Sequence, residues 1–296
     1  MRFQALLRSR KEWLLLHLPE ASANYIYDLH GKDKQKLLAN RLGLSTAEEY
    51  LTDATFADAL SFIATSSHER FVLKPISGKS GSGVFCLSRE AGGYRDLKSG
   101  KLRTPARLKE LAAESYGRLG RADSWLVEEL LLEPGSSAQA TGDFKFFCFG
   151  GRAELTLQKG FVGPKSRRRP ATRFYDRDGT PVDTGIRPYL ISDQLELPPS
   201  IGALLAEAER ASSLITTPFI RIDLYDTHRG VVLGELTPSP GGLSMLNPEW
   251  DARLAGRWHE SAKALEQGLA TGEIKPLMPT DDFSVEVLPA PAPAHQ

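Results

Sequence analysis

Two neighbouring stretches late in the chain bring together residue types that can hold a charged ligand. In FIRIDLYD, residues 219–226, strand alternation puts Arg221, Asp223 and Tyr225 on one face and Ile222 and Leu224 on the other. In VVLGELT, residues 231–237, Glu235 and Thr237 share a face. A turn around Thr227 to Gly230 pairs the two stretches and sets Asp223 beside Glu235. Two like carboxylates on a half-buried sheet repel unless a cation neutralises them. Two readings stay open on spacing alone: a hard ion such as Mg2+ shared between carboxylates and phosphates, or an Asp–Arg–Glu salt-bridge cluster.

A second stretch, FVLKPISGKSGSGVF at residues 71–85, sets Lys74 before a run of glycine and serine. Gly78-Lys79-Ser80 looks like the end of a Walker A loop, but that motif needs a glycine where Leu73 stands, and a helix should follow where GVFCLS reads as a strand. The dinucleotide pattern fails too, because Gly81 and Gly83 are followed by Cys86. What remains is a strand lysine aimed into a cleft and a turn, residues 78–83, whose backbone N–H groups can fold over phosphates. A solvent-exposed hairpin is the competing reading. Between these ends, Glu128 and Glu129 close a strand, and Asp143 and Lys145 share a face of the next one. Lys145 is either a second phosphate-binding cation or the surface partner of Asp143.

The elements that must position these groups are legible from periodicity. Residues 3–18 have helical spacing with Arg2, Arg8, Arg10 and Lys11 interleaved, a basic amphipathic helix packed on its own protein. DKQKLLANRLG forms a helix ending at Gly43, and STAEEYL is expected to open another, with Ser45 as cap and Glu48 three residues on. FVLK and GVFCLS are expected to pair antiparallel. Residues 105–119 read as a helix, WLVEELL as a strand, and DFKFFCFGGRAELTLQ as a hairpin turning at Gly150-Gly151. A basic loop, GPKSRRRPATR, carries Lys165, Arg167, Arg168, Arg169 and Arg173. A turn at DRDG and a helix IGALLAEAERASSL follow. The Pro- and Ala-rich tail favours no packed structure.

The whole chain of 296 residues has room for two lobes with a cleft between them. Lys plus Arg and Asp plus Glu are 37 each, so no net field draws nucleic acid to the surface. Cys86 and Cys148 lie in apolar runs, as buried thiols of a reducing compartment do. No run approaches a membrane span and the amino-terminal stretch is too broken for an export signal, which makes the expected location cytoplasmic.

Taken in order, Lys74 with SGKSGSG, VEELL at 127–131, DFKFFCFGGR at 143–152, FYDRDG at 174–179, FIRIDLYD at 219–226 and GELTPSPGG at 234–242 resemble the ATP-grasp superfamily, and its TupA-like branch most closely. The resemblance spans roughly residues 33–260. It implies an α+β fold: two α+β lobes clasping ATP, with a short helical amino-terminal extension. The expected division is 1–32 for the extension, 33–130 for the small lobe with its glycine-rich lid, 131–275 for the large lobe with the metal site, and 276–296 for the tail. Lys74 and Lys145 would hold phosphates, Gly78, Ser80, Gly81, Ser82 and Gly83 would form the lid, and Glu128, Glu129 and Leu130 would be the hinge at the adenine. Glu133 would reach the ribose, and Asp223 and Glu235, with Thr237 where many relatives have Asn, would bind Mg2+. Arg221, with Lys145, would stabilise an acylphosphate. The implied reaction joins a small-molecule carboxylate to an amine, on an amino acid or a uronate of cell-surface polymers. A kinase-like or sugar-modifying transferase on the same ATP site, and a non-catalytic scaffold, are the alternatives. A homodimer is one open outcome for assembly.

Overall fold

The computed structural model describes residues 2–29, 31–76, 83–117, 123–135, 141–163 and 169–280. Four short helices come first: α1 (Phe3–Arg8), α2 (Arg10–His17), α3 (Glu20–Tyr27) and α4 (Lys32–Arg41). The single helix expected over 3–18 is interrupted at Ser9, whose hydroxyl donates back to the Leu6 carbonyl. Phe3 is fully buried and meets Phe219 edge-on at 5.1 Å, so these helices are part of the core.

A first antiparallel sheet, ordered β1-β6-β2-β3-β4-β5, is made of β1 (Glu49–Ala54), β2 (Arg70–Pro75), β3 (Phe85–Glu90), β4 (Gly93–Asp96), β5 (Lys101–Arg103) and β6 (Trp125–Glu129). The stretch STAEEYL is not a helix start. Ser45 gives its carbonyl to the Leu233 N–H at 2.7 Å, Glu48 gives its own to the Glu129 N–H at 2.8 Å, and the chain continues as β1. A capping box contributes about 1 kcal/mol, which a full ladder of backbone hydrogen bonds overrides. α5 (Phe56–Thr65), capped by Thr55, and α6 (Pro105–Gly117) bury Phe56, Ile63 and Leu108 against Phe71, Leu73, Trp125 and Val127. The other face of this sheet carries Val72, Lys74, Cys86 and Glu128.

The second antiparallel sheet, ordered β10-β9-β8-β7-β11-β12, comprises β7 (Asp143–Phe149), β8 (Arg152–Val162), β9 (Arg169–Asp176), β10 (Pro181–Val182), β11 (Ile220–Thr227) and β12 (Gly230–Thr237). Both expected hairpins form, at Gly150-Gly151 and at Thr227 to Gly230. One face, with Phe144, Phe146, Ile222 and Leu224, is buried under α7 (Ile201–Ser213) and under Leu14, Ile26 and Leu38 of the opening helices. α4, expected to open the small lobe, therefore shares the core of the second sheet. Part of the opposite face, with Phe147, Leu155 and Phe174, is covered by α1 and by Trp250 and Trp258 of α8 (Pro248–Thr271). The rest of that face is polar.

The two sheets are joined along one flank. Thr46 bridges Leu233 in parallel register, Arg229 at the β11–β12 turn pairs with Glu129 at 2.7 Å, and the His228 N–H reaches the Leu132 carbonyl at 3.4 Å.

Candidate active site

The uncovered polar face of the second sheet is organised in rows, because residues opposed in register point to the same side. One row runs Thr237–Arg221–Phe147. The next runs Glu235–Asp223–Lys145–Leu157. A third runs Tyr225–Asp143–Lys159–Thr172. The opposition of Asp223 to Glu235 depends on one residue. From the turn, Thr227 pairs with Gly230 and Leu224 with Leu233, so strict alternation would set Gly234 opposite Asp223; the register slips there and brings Glu235 in its place. Glycine suits this bulge, since a Cβ on Gly234 would lie 2.6 Å from the Tyr225 ring.

Asp223 is 2% exposed, and its charge is fully engaged. Arg221 donates to it from Nε at 2.6 Å and from Nη2 at 2.7 Å, and Lys145 pairs with its Oδ2. Lys145 also meets Asp143 Oδ2 at 2.8 Å. Burial pulls the Lys145 pKa down, but Asp143 and Asp223 outweigh it and the net shift is upward; the same contest, with Asp223 as the main partner, raises Arg221. Both stay cationic. The Arg221 guanidinium also donates to the Thr237 hydroxyl at 2.8 Å and lies 3.8 Å from Glu235. Thr237, expected as a metal ligand, is thus the partner of the arginine.

Among the described residues no group of three or more His, Cys, Asp or Glu forms a metal cage. Of the opposed pair, Glu235 is half exposed and its oxygens suit an ion such as Mg2+ that keeps phosphate oxygens and water as further ligands, while both Asp223 oxygens already accept from Arg221 and Lys145.

The first sheet meets this face through Lys74, which pairs with Glu128 on its cleft side. Tyr225 joins the two: burial first, then Asp143 and Asp223 of its own sheet, then Glu128 and Cys86 of the other, hold its phenol pKa well above the ordinary value. Carboxylates of both sheets, Asp143 and Asp223 on one and Glu128 on the other, thus act on the same phenol. At the hinge, the Glu129 N–H is used by the Glu48 carbonyl and its carboxylate by Arg229 and the Glu48 N–H. Leu130, expected with them at the hinge, lies just past the end of β6. Glu133 is half-buried beyond it. Gly83 is the described lid glycine, with φ +76; Gly78, Ser80, Gly81 and Ser82 lie outside the described residues, as do Lys165, Arg167 and Arg168. Arg173 donates to the Asp193 and Leu195 carbonyls at 3.0 and 2.8 Å. Reading the sequence missed Lys159, Thr172 and Gly234, whose placement depends on register across three strands.

Two antiparallel sheets joined along one flank thus carry a strand lysine on one and a lysine–arginine–carboxylate cluster on the other. The chain belongs to the TupA-like ATPgrasp family, whose profile matches residues 12–257. No curated protein sequence matches it. Among solved structures it is similar to the ATP-grasp ligase PsnB complexed with minimal precursor, at 15% identity and TM-score 0.43, over 86% of this chain and 70% of that one. It is also similar to the D-alanine–D-alanine ligase of Helicobacter pylori, at 16% identity and TM-score 0.42, over 81% of this chain and 58% of that one. The D-alanine–D-alanine ligase of Coxiella burnetii matches at 16% identity and TM-score 0.48, over 92% and 68%. Among the described residues no helix is long and apolar enough to cross a membrane.

Proposed function

We propose that this protein is an ATP- and Mg2+-dependent carboxylate–amine ligase of the cytoplasm, forming an amide or peptide bond on an amino acid or an acidic sugar in cell-surface polymer or small-molecule biosynthesis. The observation that carries this reading is the register that opposes Asp223 to Glu235 beside Lys145 and Arg221. Family membership supports it independently.

In this reading a substrate carboxylate attacks the γ-phosphorus of ATP, and ADP leaves with the bond electrons. An amine then attacks the acyl carbon of the acylphosphate, the amide forms, and phosphate and a proton depart. The chain needs no nucleophile of its own, and its part is positioning and charge neutralisation. Lys145 and Arg221, both held cationic, face the transferred phosphoryl group, and Lys74 exchanges Glu128 for a phosphate oxygen. Asp223 and Glu235 would hold Mg2+, which supplies further neutralisation of phosphate charge. Leu130 offers its backbone to the base.

Incubation with ATP, Mg2+ and pooled amino acids and uronic acids tests the reading by mass spectrometry. ADP with a new amide is the expected result, and Glu235→Gln abolishes it. ADP with a stable phosphorylated product would replace the ligase by a transferase on the same site. Failure of the wild type to bind ATP would leave a scaffold. Sedimentation of the purified chain decides whether it pairs as a homodimer.

A further inference from the structure

The groups assigned above lie on β7, β11 and β12, yet the same face continues onto β8 and β9. There the residues are mostly apolar: Leu155 and Leu157 on β8, Phe174 on β9. Two polar side chains interrupt them. Lys159 stands opposite Asp143 on one side and opposite Thr172 on the other. Among the described residues Lys159 forms no ion pair, although it is partly buried. Burial first and then the neighbouring Lys145 lower its pKa, against the pull of Asp143.

Its two neighbours in the row are also incomplete. Asp143 gives Oδ2 to Lys145 at 2.8 Å, while its Oδ1 is buried without a hydrogen-bond partner. The Thr172 hydroxyl is likewise buried and partnerless. Unmet polar groups of this kind each cost free energy, and two in one row, beside an ammonium with no ion pair, are not explained by the fold. Lys159 and Asp143 stand opposite each other in register without an ion pair, an ammonium and a partnerless carboxylate oxygen in one row.

We propose that this row is the site of an amino-acid substrate bound as a zwitterion, with its ammonium at Asp143 Oδ1 and its carboxylate at Lys159, steadied by the Thr172 hydroxyl. This deepens the ligase reading and rests on it. A ligand carrying both charges completes Lys159 and Asp143 together, whereas a uronate, with a carboxylate and no ammonium, completes only Lys159. The row adjoins the phosphoryl-binding residues and touches them through the Asp143–Lys145 contact, as an amino acid awaiting activation or acceptance requires.

The test is calorimetry of the full chain with ADP and Mg2+, against the twenty free amino acids and D-glucuronate, followed by the des-amino acid and the amide of any amino acid that binds. At least one amino acid is expected to bind, and its des-amino and amide analogues are not. Lys159→Met weakens that amino acid by about tenfold or more, as loss of a charge-assisted hydrogen bond does. Lys159→Arg restores it, and ADP affinity stays within about twofold. Thr172→Val, close in shape, weakens the same ligand less. The proposal is overturned if Lys159→Met weakens ADP while leaving the amino acid untouched, if D-glucuronate alone binds through Lys159, or if nothing in the panel binds. ADP binding to the wild type reports separately on the ligase reading, so the two can fail independently.

Discussion

Replacing Asp223 by Asn keeps the shape of the site and removes its central negative charge. The wild-type carboxylate is 2% exposed, and its partners Lys145 and Arg221 have side chains 7% and 13% exposed, so neither cation can turn to water when the charge is lost. Breaking a buried pair in this way costs about 3–5 kcal/mol. The lower end applies, because Lys145 keeps Asp143 at 2.8 Å and Arg221 keeps the Thr237 hydroxyl at 2.8 Å. The expected loss is about 3 kcal/mol, or roughly 6–12 °C in the melting of the large lobe. Urea denaturation followed by far-ultraviolet circular dichroism measures it. Repetition at about 0.1 M and about 1 M salt should give the same loss, since buried charges are little screened. A loss below about 1 kcal/mol, or one that vanishes in high salt, would show that the cluster is solvated and would refute the buried floor argued for the cleft.

Three further outcomes follow from neighbouring features. Gly234→Ala should cost about 1–3 kcal/mol by overpacking against Tyr225, and far less when Tyr225→Ala has already made room; an equal cost in both backgrounds would contradict the contact. Glu154, fully buried on β8, accepts from Arg253 at 2.6 Å and Arg257 at 2.9 Å, so Glu154→Gln should lower stability in urea by about 1–3 kcal/mol, with no loss counting against it. Burial raises the pKa of both Cys86 and Cys148, so their protonated forms favour the folded state fully below the ordinary thiol value and lose that contribution as pH rises above it. Chain carrying Cys86→Ala and Cys148→Ala should therefore lose stability less steeply than wild type above about pH 9, and thiol reagents should label the wild type only on unfolding. Rapid labelling of the native chain would overturn this.

What the sequence made legible were the parts decided by nearest neighbours. Alternation in RIDLY and FVLK, glycine turns at 150–151 and 230, and the long apolar spacing of α7 all report local geometry, and all appear in the fold. STAEEYL misled because its capping signature is local while its fate is decided by pairing with β6. The site was half legible for the same reason. Asp223 and Lys145 stand on strands whose faces alternation gives, whereas Glu235 comes opposite Asp223 only through the slip at Gly234. Lys159 does not: counted back from the Gly150-Gly151 turn, strict pairing opposes Asp143 to Gln158 and turns Lys159 to the other face. The register slips between Phe147 and Cys148, leaving Glu154 as the extra residue of β8, and every later residue of that strand changes sides. Nothing in a stretch of sequence announces such a slip. The arginines that hold Glu154 come from a helix about 100 residues further on.

The flank that joins the two sheets, through Thr46 with Leu233 and Arg229 with Glu129, has a kinetic meaning. Lobes fastened on one side part by swinging rather than sliding. In the proposed ligase, a ligand beside Tyr225, close to that flank, would then enter ahead of one resting on β8 and β9.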